Sequence, residues 1–324
     1  MLSFMDLIFQ FGDVYPVSGN SSFFENLLIA VIGAVIGSGA AIWIFYQTLK
    51  SDRKKSRKLK NQRDEELLRY FCALLRNILK FTNGQKQDYL NFAKALEAKP
   101  YETHLVRYRV NHDIRRVQKM NQHEIYQAYL DQMGSKDTDI NRFTAIYSNL
   151  DFLDVLIDAA RSENELGQKH ITERRFQYKN EAEKLLNYVG LFIENIRKSN
   201  LETYTEIPVW VALNQLLGSY HIKRTDASSL TYVQQAFVKP VGHTIMNDFR
   251  DLPECTEIMQ LVKKATHTFS NIKLDSSELA NSFQEYYSEF NKIEDELRTK
   301  SNQLLRKYSV KSEEQLAILN INNE

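Results

Sequence analysis

The sequence predicts an all-α protein with a single membrane-spanning helix, and three observations carry that prediction. The 324 residues include only 11 Gly and 5 Pro, too few for sandwiches, propellers or Gly-rich nucleotide folds, which need frequent special turns. Apolar residues recur at spacings of three and four over most of the chain, the period of a helix face. Between Leu27 and Tyr46 the stretch LLIAVIGAVIGSGAAIWIFY contains no Asp, Glu, Lys, Arg or His.

That stretch is the first element. At about 1.5 Å per residue it extends for about 30 Å, the thickness of a bilayer's hydrocarbon core. Trp43 and Tyr46 stand at one end and Phe23 and Phe24 at the other, where aromatic belts form. Charge then orients it. The net charge of +1 conceals three zones. Residues 1–49 hold Asp6, Asp13 and Glu25 and no Lys or Arg. Residues 50–63 carry Lys50, Arg53, Lys54, Lys55, Arg57, Lys58, Lys60 and Arg63 against Asp52 alone, and the rest of the chain is slightly acidic. Bases flanking a span stay on the cytoplasmic side. The expected layout is therefore an extracytoplasmic segment over 1–22, a transmembrane helix over 23–48, a basic juxtamembrane helix over 49–66 and a cytoplasmic all-helical domain over 67–324. A cleaved signal peptide has the opposite order of charge and apolar run, so the anchor is expected to be retained. The abundance of Lys and Asn fits a bacterium of low GC content, which places the span in the inner membrane.

The same bases would meet anionic lipid, at about 1 kcal/mol each near the surface. Nucleic acid is a disfavoured partner, because the chain beyond residue 63 carries a slight excess of acids. Within the span Gly33 and Gly37 form a GxxxG pair, and Ala30, Ala34 and Ser38 add a second row of small residues. Such rows let two helix backbones approach closely in lipid. The apolar opening MLSFMDLIFQF is too short to span and is read as an interfacial or irregular segment.

The absence of Gly and Pro from Ala40 to Thr82 predicts that the spanning helix runs on, stopping at Asn83-Gly84. Leu67, Phe71, Leu74, Ile78 and Phe81 form a two-heptad seam on it. A helix over about Lys86 to Ala98 should end ahead of Pro100. In residues 101–110 Val106, Tyr108 and Val110 alternate with Arg107 and Arg109 as in a short strand, but with no partner strand apparent the stretch reads as an ordered loop. Asn111 and Asn121 are expected to cap two short helices, the second ending near Gly134. A helix from Asp137 or Asp139 carries Phe143, Ile146, Tyr147, Leu150, Leu153 and Leu156 as one stripe. Thr172 to Lys198 repeats the pattern with Phe176, Leu185, Tyr188, Val189, Phe192 and Ile196. Pro208 opens a helix that Gly218 should close, and Pro240 and Pro253 break up residues 219–254. The last long helix should begin at an Asp275–Glu278 capping pair, with Leu279, Phe283, Tyr286, Phe290, Ile293, Leu297 and Leu304 as its seam. Ser312 with Gln315 would open a final short helix.

Few motifs carry chemistry. There is no Walker loop, dinucleotide-binding turn, nucleophile elbow or HExxH, and no His has an acid three residues before it, as di-iron helical sites require. His170, His221, His243 and His267 stand singly, so neither a metal nor a cofactor is expected. Cys72, set among Phe71, Ala73 and Leu74, reads as a core thiol. Arg107-x4-His112 and Arg116-x6-His123 resemble the Arg–His spacing of all-α ribonucleases of the HEPN family. That resemblance would make those four residues an RNA-cleaving site. In both pairs an apolar or aromatic residue, Tyr108 or Val117, follows the Arg where that family usually shows a polar one. Chance alone supplies about one such pairing in a chain of this composition.

The sequence is therefore read as a non-enzymatic, membrane-anchored helical protein acting through a protein partner or self-association. A membrane-acting effector of phage defence, by analogy of layout, and a membrane-tethered ribonuclease are the alternatives.

Overall fold

Long uninterrupted runs of helix-forming residues dominate the architecture. The computed structural model describes residues 21–222 and 229–321, with side chains for 25, 27–222 and 229–308. The expected extracytoplasmic segment lies almost wholly outside the described residues. Among those described, all secondary structure is helical and there is no strand. The helices are α1 (Ser21–Ala98), α2 (Asp113–Lys119), α3 (Gln122–Met133), α4 (Asp137–Ser199), α5 (Pro208–Ile222), α6 (Leu230–Val233), α7 (Lys239–Asp248) and α8 (Thr256–Ile321). The chain divides into two compact units, Met1–Glu65 and Glu66–Glu324.

In the second unit three long helices lie side by side. The α8 helix runs antiparallel to α4, with Arg142 bonding Gln303 at one end and Arg174 meeting Asp275 further along. It is also antiparallel to the later part of α1, where Arg76 donates to the Leu305 carbonyl and Phe92 packs on Phe283. Phe71 of α1 stacks on Tyr147 of α4 at 5.8 Å, closing the third side. The expected stripe of α4 from Phe143 to Leu156 is buried, as are Leu279, Phe283, Phe290, Ile293, Leu297 and Leu304 on α8. Phe176, expected in the α4 stripe, is instead 67% exposed.

Several predicted helix ends are corrected. Asn83-Gly84 does not stop α1, which continues to Ala98 and ends ahead of Pro100. Gly84 serves close approach: a Cβ there would lie 2.7 Å from the Arg109 guanidinium carbon. Gly167 likewise sits inside the single α4 helix that replaces two expected ones, and its missing Cβ leaves room for Leu279 of α8. Gly218 does not close α5, which runs to Ile222. Asp275 caps nothing, because α8 begins at Thr256, and its carboxylate pairs with Arg174 at 3.3 Å. Residues 312–315 continue α8 rather than opening a new helix. At Gly84, Gly167 and Asp275 tertiary contacts hold the helix through positions where local signals favour an end.

Other ends fall as expected. The Asn121 side chain accepts from the His123 and Glu124 amides, and Gly134 closes α3 with φ 118°, a conformation that side chains with a Cβ avoid. Asn111 accepts from the Asp113 amide at 2.7 Å, although the N-cap position of α2 belongs to His112.

The loop after α1 is pinned along its length. Arg175 of α4 reaches the carbonyls of Pro100 and Glu102, and Ser276 of α8 bonds the Pro100 carbonyl at 2.9 Å. Gln168 reaches the His104 carbonyl, and the Tyr108 hydroxyl donates to the Ala160 carbonyl at 3.2 Å. The buried Gln85 side chain binds Arg107 and Arg109 through both ends of its amide, while Asp88 pairs with Arg109 at 2.6 Å. The segment 99–112 is thus a strap joining α1, α4 and α8.

Candidate functional site

Candidate chemistry falls in four places, beginning with the apolar stretch. Each side chain from 27 to 46 is exposed, and helix α1 is long and apolar enough to cross a membrane. Gly33 and Gly37 have nothing within 4 Å of where a Cβ would lie. Ala30, Ala34 and Ser38 are exposed on the same helix, and so are Lys50, Arg53, Lys54, Lys55, Arg57, Lys58 and Lys60.

The second place is the pair of Arg–His spacings. Arg107, His112, Arg116 and His123 are all exposed. The Arg116 guanidinium pairs with Asp113 at 2.8 Å, one turn back on α2. His112 occupies the N-cap position of α2, and His123 lies in the first turn of α3 with its amide on Asn121. Arg107 lines a shallow cavity with Lys80, Arg109 and Asp113, and neither histidine lines it.

The third is a buried charge cluster between α1 and α8. Lys86 Nζ lies 2.7 Å from Glu294 and 2.8 Å from the Asn291 side-chain oxygen, and Arg298 grips the other Glu294 oxygen at 2.6 Å. Lys86 and Glu294 are buried. Burial alone would push the Glu294 carboxyl up, but the bonds from Lys86 and Arg298 outweigh it and hold the group below its ordinary value. The sequence reading missed this cluster, since Lys86 and Glu294 are 208 positions apart and each looks like a surface residue.

The fourth is a cavity of about 880 Å³ bordered by α7, α8 and the loop residue Tyr101. Its irregular wall is the π turn Gln234–Val238. Pro240 lacks the N–H that an α-helix would aim at residue 236 and its ring crowds that carbonyl. Widening to the π spacing, with the Lys239 amide on the Gln234 carbonyl, absorbs the conflict. His243 and His267, which stand singly in the sequence, both line this cavity, whereas His170 and His221 do not. Among the described residues no group of His, Cys, Asp and Glu is gathered for a metal ion. Both cysteines are buried, and burial pushes the Cys72 thiol up to about 12.

Compared with protein-family models, curated proteins and solved structures, the chain has no match.

Proposed function

We propose that this chain is a single-pass membrane protein whose helical part beyond the span works by binding, to a protein partner or to a second copy of itself. The observation that carries the reading is the run of exposed apolar side chains from Leu27 to Tyr46, directly followed by eight bases in residues 50–63. Monomers in water rarely expose a contiguous apolar patch beyond about 300–600 Å². A helix apolar on every face needs lipid, or other protein, as its solvent. The bases favour the cytoplasmic side for the chain beyond them, on the rule that Lys and Arg are retained there.

The test is fractionation of cells producing the full chain. It should stay in the membrane pellet through an alkaline carbonate wash and enter solution only with detergent. A protease applied outside intact cells should leave the part beyond Arg63 uncut. Recovery in the soluble fraction without detergent overturns the anchor, and external cleavage of that part overturns the orientation.

Self-association would use the face carrying Gly33 and Gly37, with Ala30, Ala34 and Ser38 beside them, as close backbone approach in lipid requires. Replacing both glycines with Leu is expected to lower the cross-linked dimer yield in membranes at least about fivefold, the equivalent of about 1 kcal/mol. An unchanged yield removes this face from the proposal.

A further inference from the structure

The cavity beside the π turn is lined by bases and by no acid. Four of its lining residues carry basic nitrogen, Lys239 and His243 from α7 and Lys263 and His267 from α8, and none is Asp or Glu. This holds although the chain beyond residue 63 is acidic on balance. Among the described residues neither lysine has an ion-pair or hydrogen-bond partner. His267 touches Asn271, at 3.3 Å.

The rest of the lining is of two kinds. Tyr101 and Phe269 stack at 4.0 Å with their planes 14° apart, and Met246 and Met259 add flexible apolar surface. The buried Gln234 side chain is fixed from both ends, accepting from the Tyr178 hydroxyl at 3.1 Å and donating to Thr266 Oγ1 at 3.4 Å. Thr266 and Ser270 present hydroxyls along the α8 side. The wall itself is stiff, because Gly242 lets α7 approach α8 so closely that a Cβ would lie 2.7 Å from Val262.

We propose that this cavity binds a small organic anion built from an aromatic ring and phosphate, the chemical class of nucleoside phosphates. The volume lies in the usual range for small-molecule sites, about 300–1,000 Å³. Lys239 and Lys263 take the phosphate as point charges, with His243 and His267 as donors. The Tyr101–Phe269 wall and the methionines take the ring, and the amide and hydroxyl groups fix its edge. The π turn fits this role, since such turns recur where a helix must open a site. The proposal is independent of the membrane assignment, because every residue it uses lies between Tyr101 and Ser270.

The experiment titrates AMP and ATP into the full-length protein in detergent micelles by calorimetry. Both should bind, ATP more tightly, and the double variant Lys239→Glu, Lys263→Glu should weaken binding at least tenfold. Both lysines are exposed, so an unchanged far-UV melt is expected for that variant. Lys119→Glu, on exposed α2 and outside the cavity, should bind as the unaltered protein does. Absence of binding by both nucleotides overturns the proposal. So does unweakened binding by the double variant, and so does inorganic phosphate binding as tightly as AMP, which would leave the aromatic wall without a role.

Discussion

Glu294→Gln is expected to destabilise the second unit by about 3–5 kcal/mol, the range for removing one partner of a buried ion pair. The substitution keeps the shape and removes the charge. Lys86, buried and 2.7 Å from that carboxylate, is left with only neutral acceptors, the Asn291 oxygen and the new amide oxygen, and no counter-charge. Arg298 loses the same partner at little cost, because its own side chain is 57% exposed and can turn to water. For a unit of this size the loss corresponds to a melting temperature lower by roughly 10 °C, read by circular dichroism. Removing both buried charges, Lys86→Met with Glu294→Leu, should recover most of it, since apolar replacements of a buried pair are often neutral. The pH dependence has a definite sign. The folded Glu294 carboxyl is held below its ordinary value of 4.5, so the stability it supplies is complete above that value. It is lost as pH falls through the lowered folded value. The unaltered protein should therefore lose this contribution on acidification below about 4.5, and Glu294→Gln should lack that component.

Phe283→Ala should cost a similar amount, about 3–5 kcal/mol, by a different route. The ring is fully buried and sits where α1 and α8 meet, with Phe92 at 4.8 Å, Tyr89 at 5.2 Å and Tyr286 at 5.7 Å between ring centroids. Three of these pairs are edge-on, the arrangement that aromatic quadrupoles favour. Truncation removes the apolar burial and leaves a cavity walled by rings that cannot collapse into it. Leu105→Ala, at a side chain 88% exposed, should shift the melt by no more than about 0.5 kcal/mol. Equal shifts for the two would show that Phe283 does not anchor the junction.

The helical class was legible from periodicity, and so was the apolar stretch, because both are local properties. Asn121 and Gly134 also marked α3 correctly, since each acts through neighbours within three or four positions. Three failures came where a residue's partner is distant. Gly84 looks like a stop until Arg109 is known to lie over it, and Gly167 looks like a gap until Leu279 fills it. Asp275 has the spacing of a cap, yet Arg174 claims its carboxylate from another helix. The cavity was illegible for the same reason. Lys239 and His243 share a helix face four residues apart, as do Lys263 and His267, but only the close passage of α7 over α8 makes them one lining. Two i, i+4 Lys–His pairs were the signal available, and alone they are indistinguishable from solvated surface.

The antiparallel pairing of α1 with α8 also bears on how the protein comes off the ribosome. Leu68, Phe71, Leu75 and Ile78 are made early, yet the helix that shields them emerges more than 200 positions later. Closure over such separations is slow, and unfinished chains of this kind present sticky surface. The early helix thus waits for the last one, and the cell must keep the nascent chain from aggregating until residues beyond 300 have been synthesised.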